Sequence, residues 1–202
     1  MSQIHFIHDK PLIEDIFNYD VIIVGTGIHN ALGNGFQYDV KINFPSVEYA
    51  IKQTAYADPR KLGTVIVVKE TPLFCVGFIH QGGFRKDLQP VYVDYQAVTN
   101  VLRLIDENTS NKKIATTLIG CSEFDGNGDK QIILDILNGL SGNNEYYIYD
   151  YTQRDYREVN NEKWAEITSL VGKIPYDELR KLKDEYVKIR KYGIYGAKKI
   201  KD

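Results

Sequence analysis

The 202-residue chain predicts an α/β fold. Residues 1–152 are expected to form a mixed six-stranded sheet between two helical layers, and residues 153–202 a basic helical extension. Two observations carry this. Short β-branched apolar runs alternate with segments whose apolar residues recur every three or four positions, the pattern of a layered α/β domain. After about residue 153 that alternation stops, and lysine, arginine and tyrosine accumulate around helix-period leucines and isoleucines.

Each element follows from local pattern. Residues 4–8 and 20–24 read as the first two strands, the second being Asp20 followed by Val21-Ile22-Ile23-Val24. Residues 35–56 read as helix in two pieces, because Pro45 lacks the N–H an unbroken helix requires. Ser46 is expected to cap the second piece, with Tyr49 and Ile51 on its apolar side. Residues 63–68 and 73–79 are strands joined through Pro72, a hairpin. Residues 94–107 carry Val98, Val101, Leu102 and Ile105 at helical spacing. Residues 113–119 return to strand, 129–140 form a helix with Ile132, Ile133, Ile136, Leu137 and Leu140 apolar, and 145–149 close the sheet. In the extension, one helix is expected around Trp164, Ile167 and Leu170. A second starts at Pro175, with Leu179, Leu182, Tyr186 and Ile189 on one face.

Bulk properties exclude several classes. Hydrophobic content of 43% and charged content of 26% are those of a soluble domain. A net charge of −2 argues against nucleic acid as the partner, and strand-length apolar runs argue against a bilayer span. The N-terminus lacks the basic and apolar regions of a secretion signal, so a cytoplasmic location is expected. Cys75 and Cys121 both lie in apolar runs and read as core thiols. From Lys173 onward the net charge is about +5. That end is read as a solvated basic face on packed helices, the alternative being a guide for an anionic partner.

Two glycine-containing loops follow strands. Gly33-Asn34-Gly35-Phe36 stands after the second strand and opens a helix. Glycine lets backbone N–H groups approach an oxyanion, and a helix N-terminus adds partial positive charge, so the arrangement suits a phosphate or pyrophosphate. The second loop is Gly120-Cys121-Ser122-Glu123-Phe124-Asp125-Gly126-Asn127-Gly128. In an open sheet, such loops meet at the carboxyl ends of the strands and can clamp a diphosphate. Both loops also read as plain polar turns. Asp125-Gly126-Asn127-Gly128 lacks the closing acidic residue of a calcium loop. Val24-Gly25-Thr26-Gly27 lacks the last glycine of a dinucleotide fingerprint, since Asn30 stands there. No histidine pair has zinc spacing, and no serine sits on a nucleophile elbow.

The run from Gly33 through Val40-Lys41 to Phe44-Pro45 resembles the macrodomain signature, a Gly-x-Gly turn followed by a helix ending in Lys-x-x-Phe-Pro. Phe78-Ile79-His80-Gln81, Val93-Asp94-Tyr95, the run from Ile114 to Cys121 and Tyr147-Ile148-Tyr149-Asp150 are similar to later segments of that family, in its order. The branch it most resembles contains ADP-ribose 1''-phosphate phosphatases and ADP-ribosyl glycohydrolases. The resemblance implies the three-layer macrodomain fold and ADP-ribose or a related nucleotide as ligand, free or carried on an ADP-ribosylated macromolecule, with no cofactor and no metal.

It also implies roles for individual residues. Asp9 falls where the family's acidic residue meets the adenine amino group, though it reads equally as a helix cap. Gly33, Asn34, Gly35 and Phe36 would wrap the diphosphate, and Gly120, Ser122, Gly126 and Gly128 would form the opposite wall. Tyr149 or Tyr151 would pack on adenine or ribose. The family's Asn-Ala-Ala-Asn run is replaced by Gly25-Thr26-Gly27-Ile28-His29-Asn30, which leaves Gly25, Thr26 and Asn30 in the ligand-binding set. Hydrolysis would need a base, for which Asp125 and His29 are candidates. Lys69 resembles the nucleophilic lysine of one glycohydrolase branch. The expected activity is hydrolysis of a group on the distal ribose. The alternative is a non-catalytic macrodomain that senses or sequesters an ADP-ribose-containing nucleotide, which the lost Asn and altered second loop favour.

Overall fold

A computed structural model describes residues 2–8, 10–33, 35–81, 91–122 and 126–150, with 165–167, 169, 170, 173–175, 178, 181 and 182 of the extension. Strand β1 (Gln3–Ile7) is followed by the short helix α1 (Leu12–Asp15), then by β2 (Val21–Gly27). Two helices, α2 (Gly35–Asn43) and α3 (Pro45–Lys52), lead through a 3-10 turn, Pro59–Lys61, to the hairpin of β3 (Val65–Val68) and β4 (Leu73–His80). Helix α4 (Tyr95–Glu107), β5 (Lys113–Thr117), α5 (Lys130–Asn138) and β6 (Glu145–Tyr149) complete the domain.

The sheet order is β1-β6-β5-β2-β4-β3. Every neighbouring pair is parallel except the β3–β4 hairpin, so the sheet is mixed as the sequence predicts. Side chains alternate between two cores. On one face Val21, Ile23, Cys75 and Ile114 pack under α4 and α5. On the other, Ile22, Val24, Phe74 and Val76 pack under α1, α2 and α3. Full burial of an aliphatic side chain is worth about 1.5–3 kcal/mol, so α4 is held by its buried Val98, Val101, Leu102 and Ile105 rather than by propensity.

Three local expectations are corrected. Strand β2 runs on to Gly27 instead of ending at Val24, because its ladder with β4 continues from Val21↔Leu73 to Gly27↔His80. Ser46 does not cap α3: Phe44 holds the N-cap position and Pro45 the first turn, where its missing N–H costs nothing. The Ser46 hydroxyl instead donates to Glu70 Oε1 at 2.5 Å. Tyr49 is 68% exposed, and the buried positions of α3 are Val47 and Ile51. In the extension, Ile167 is buried at 2% exposure. Trp164, Leu179, Tyr186 and Ile189 lie outside the described residues. Among the described residues, no helix is long and apolar enough to cross a membrane.

Candidate functional site

Strands β2 and β5 are central neighbours and run parallel. From β2 the chain turns to α2 on one face, and from β5 to α5 on the other. Their carboxyl ends therefore form a topological switch point, where open α/β sheets hold ligands. The ladder between them covers only Val21↔Ile114 and Ile22↔Ala115. Beyond it the strands are tied by the Thr116 hydroxyl, which donates to the Ile23 carbonyl at 3.2 Å.

The loop after β2 is braced before it opens. The Thr26 hydroxyl, fully buried, donates to the Ala31 carbonyl at 2.8 Å. The Ala57 amide donates to the Ile28 carbonyl at 2.9 Å. Asn30 has φ of 59°, a left-handed conformation that asparagine tolerates. Its side-chain Nδ2 donates to the Thr54 carbonyl at 3.0 Å, and its Oδ1 accepts from Lys61 Nζ. Leu32 is buried in the core. After these anchors Gly33 and Gly35 lie exposed, with nothing within 4 Å of where a Cβ would stand. Gly35 has φ of +52°, which glycine adopts freely, and it opens the nine-residue α2.

Close packing explains the glycines of the second loop. A Cβ on Gly120, Gly126 or Gly128 would lie 2.5–2.7 Å from Val93. The Gly128 amide donates to the Gly120 carbonyl at 2.8 Å, and the Gly126 carbonyl accepts from both Tyr92 and Val93 amides at 2.9 and 3.1 Å. The loop is thereby sewn to the segment that leads into α4.

No family model and no curated protein matches the sequence. Solved structures do match. A protein of unknown function from Bacteroides thetaiotaomicron is 17% identical, with a TM-score of 0.56 over 73% of this chain and 98% of that one. A macrodomain protein from Streptomyces coelicolor is 15% identical, with a TM-score of 0.51 over 74% of this chain and 100% of that one. Thermosipho africanus DarTG in complex with ADP-ribose is 14% identical, with a TM-score of 0.53 over 73% of this chain and 42% of that one. The chain has the macrodomain fold.

Within this fold the expected site residues divide sharply. Gly33, Gly35 and the half-buried Phe36 gather at the start of α2. Gly120, Ser122, Gly126 and Gly128 lie across the switch point, but the Gly128 amide is already spent. Gly25 is a correction: it is buried in β2, where a Cβ would meet Ile119 Cγ1 at 2.7 Å and Ile79 Cδ1 at 2.8 Å, so it serves packing. Thr26 serves the loop brace described above. Tyr149 is also corrected. It is 2% exposed, its hydroxyl donates to Asp15 Oδ2 at 2.7 Å and pairs with the Tyr19 hydroxyl at 2.5 Å, leaving no face for a base. Lys69 follows β3, which runs antiparallel to the rest of the sheet. It therefore stands at the opposite edge, the eight-residue length of β4 away. At about 3.3 Å per residue that is roughly 23 Å, so it is misplaced for chemistry here. Asp9, Asn34, Asp125 and Tyr151 lie outside the described residues.

His29 is half-buried in the turn after β2, edge-on to Tyr56 at 5.4 Å. Its Nδ1 is buried with no hydrogen-bond partner among the described residues. The fold also brings in two residues that were not among the expected site residues. His80 ends β4, and its ring fills the space beside Gly27, 2.3 Å from where a Cβ would be, with Tyr92 edge-on at 5.2 Å. Lys61 is 8% exposed beneath Asn30. Burial pushes its amine down from the ordinary lysine value, against the pull of the Asp58 charge. The glycine at 27 was the available signal for His80; nothing local marks Lys61. Among the described residues, no three His, Cys, Asp or Glu side chains are grouped to hold a metal. A depression of about 460 Å³ lined by Pro45, Ser46, Glu48, Tyr49 and Lys52 lies on the outer side of α3, away from the switch point.

Proposed function

We propose that this macrodomain binds ADP-ribose or an ADP-ribose derivative at the carboxyl edge between β2 and β5, free or carried on a macromolecule. The observation that carries the reading is the open glycine turn at the switch point. Gly33 and Gly35 have no neighbour where a side chain would stand, and they lead into the positive end of a nine-residue helix. The likeness to a DarTG structure in complex with ADP-ribose supports it. In this reading Gly33, Asn34 and Gly35 face the diphosphate, and the second loop supplies shape through Gly120, Gly126 and Gly128.

Calorimetry with ADP-ribose tests it. Wild-type protein is expected to bind, and Gly33→Val to weaken binding at least tenfold, because a branched side chain blocks the approach of an anion. That variant should keep its melting temperature, since the space around Gly33 is open. Equal affinity in wild type and Gly33→Val would remove the loop from the site.

A second reading is hydrolysis of a group on the distal ribose, of ADP-ribose 1''-phosphate or of an ADP-ribosyl linkage. The unpartnered His29 Nδ1 favours it, and Asp125 is the other candidate base. Against it, the Asn30 side chain is committed to Thr54 and Lys61. Incubation with both substrate types over roughly pH 5–9 separates the two. Product that disappears in His29→Ala supports the hydrolase, whereas binding without product assigns the sensor or sequestering role.

A further inference from the structure

Lys61 is a buried cation whose direct contacts are neutral, the Asp58 charge acting on it only from a distance. Its ammonium donates to Asn30 Oδ1 and, at 3.1 Å, to Thr54 Oγ1, and lies 4.4 Å from the centre of the Phe78 ring. No carboxylate contacts it among the described residues. Asp58, the nearby candidate, is taken by exposed Arg60, whose Nε donates to both carboxylate oxygens at 3.0 Å and whose Nη2 donates at 2.7 Å. Burying an ammonium with no carboxylate in contact is costly, and replacing buried charged groups with hydrophobic side chains of similar volume is often neutral or stabilising. A buried ammonium that no carboxylate touches therefore points to a charged partner that arrives later. Its position says where: Asn30, its acceptor, is three residues before Gly33 in the braced loop.

We infer that Lys61 is the fixed positive charge of the anion site, a buried ammonium held beneath the loop after β2 to be neutralised by the phosphates of the ligand. This rests on the nucleotide-binding reading above. Its donors are already directed at Asn30, Thr54 and the Phe78 face, so it acts through its field and by orienting Asn30. It is a positioning residue.

The test compares wild type, Lys61→Met and Lys61→Gln by calorimetry with ADP-ribose and by thermal melting without ligand. Lys61→Met keeps the aliphatic packing, and Lys61→Gln keeps a donor for Asn30; both remove the charge. The expected result is affinity at least tenfold weaker in both, with melting temperatures equal to or above wild type. Should Lys61→Met fail to fold, Lys61→Gln alone decides. Affinities within twofold of wild type overturn the inference, and so does a fall in melting temperature with affinity unchanged, the mark of a purely structural lysine. Absence of ADP-ribose binding in wild type itself instead removes the nucleotide reading, and this inference with it.

Discussion

At the scale of single residues, one buried carboxylate organises the end of the sheet remote from the candidate site. Asp106 is 5% exposed and accepts from the Tyr146 hydroxyl at 3.0 Å, Asn144 Nδ2 at 3.0 Å, the Gly142 amide at 2.8 Å and the Ser2 hydroxyl at 3.3 Å. Burial, then the charge and hydrogen bond of Asp106, push the Tyr146 phenol above its ordinary value, which keeps it a donor. Removing the acceptor strands several buried donors at once, whereas removing one donor leaves the rest satisfied. Asp106→Ala should therefore cost about 3 kcal/mol or more, and Tyr146→Phe about 1.5 kcal/mol. Urea denaturation of the two variants checks the order.

At the scale of elements, caps separate real helix starts from apparent ones. Asp94 Oδ1 accepts from the Ala97 amide at 2.9 Å and starts α4, and Asp129 Oδ1 accepts from the Gln131 and Ile132 amides at 2.7 and 3.3 Å and starts α5. The two starts are joined, because the Asp129 amide donates to the Tyr95 hydroxyl at 2.7 Å. Asp94→Ala and Asp129→Ala should each cost about 1 kcal/mol. Ser46→Ala, by contrast, should change stability by less than about 0.5 kcal/mol, since Ser46 only meets the exposed Glu70 side chain. A cost near that of the aspartates would restore Ser46 as a cap. Pro45 and Ser46 both carry start signals, and proline takes the first helical position once Phe44 is buried in the core.

Across the whole molecule, carboxylates set the response to acid. Burial pushes the Asp15 carboxyl up, but hydrogen bonds from Lys10 and Tyr149 together with the Lys10 charge outweigh it, leaving it below its ordinary value. Burial likewise opposes, and Lys41 and Lys52 overcome, the shift of Glu48. The side chain and amide of Arg60 hold Asp58 down to about 2. Each folded pKa lies below its unfolded value, so over the acid range the folded state binds fewer protons than the unfolded state and acid favours unfolding. Their stabilisation is complete above the ordinary carboxylate range and is lost as pH drops through about 4 toward 2. The melting temperature should be flat above about pH 5 and decline below it, with a shallower decline in Asp15→Asn than in wild type. A wild-type profile unchanged down to pH 3 would contradict this.

The sequence by itself determined the layered fold, the order of its elements and the glycine turn that opens α2. Those follow from local periodicity, from Pro45 and from glycine at positions 33 and 35, and each signal acts over a few residues. Only the tertiary structure decided what most other candidates do. Gly25, Gly120 and Gly126 have the same local look as Gly33, yet Ile119, Ile79 and Val93 close over them from elsewhere in the chain. Lys69 was carried to the far edge by the direction of one hairpin strand, and Tyr149 was turned inward by the Asp15 and Tyr19 network. Lys61 and His80 reached the loop after β2 through long-range contacts. A side chain's neighbours depend on strand order and register, and neither is written in the few residues that flank it.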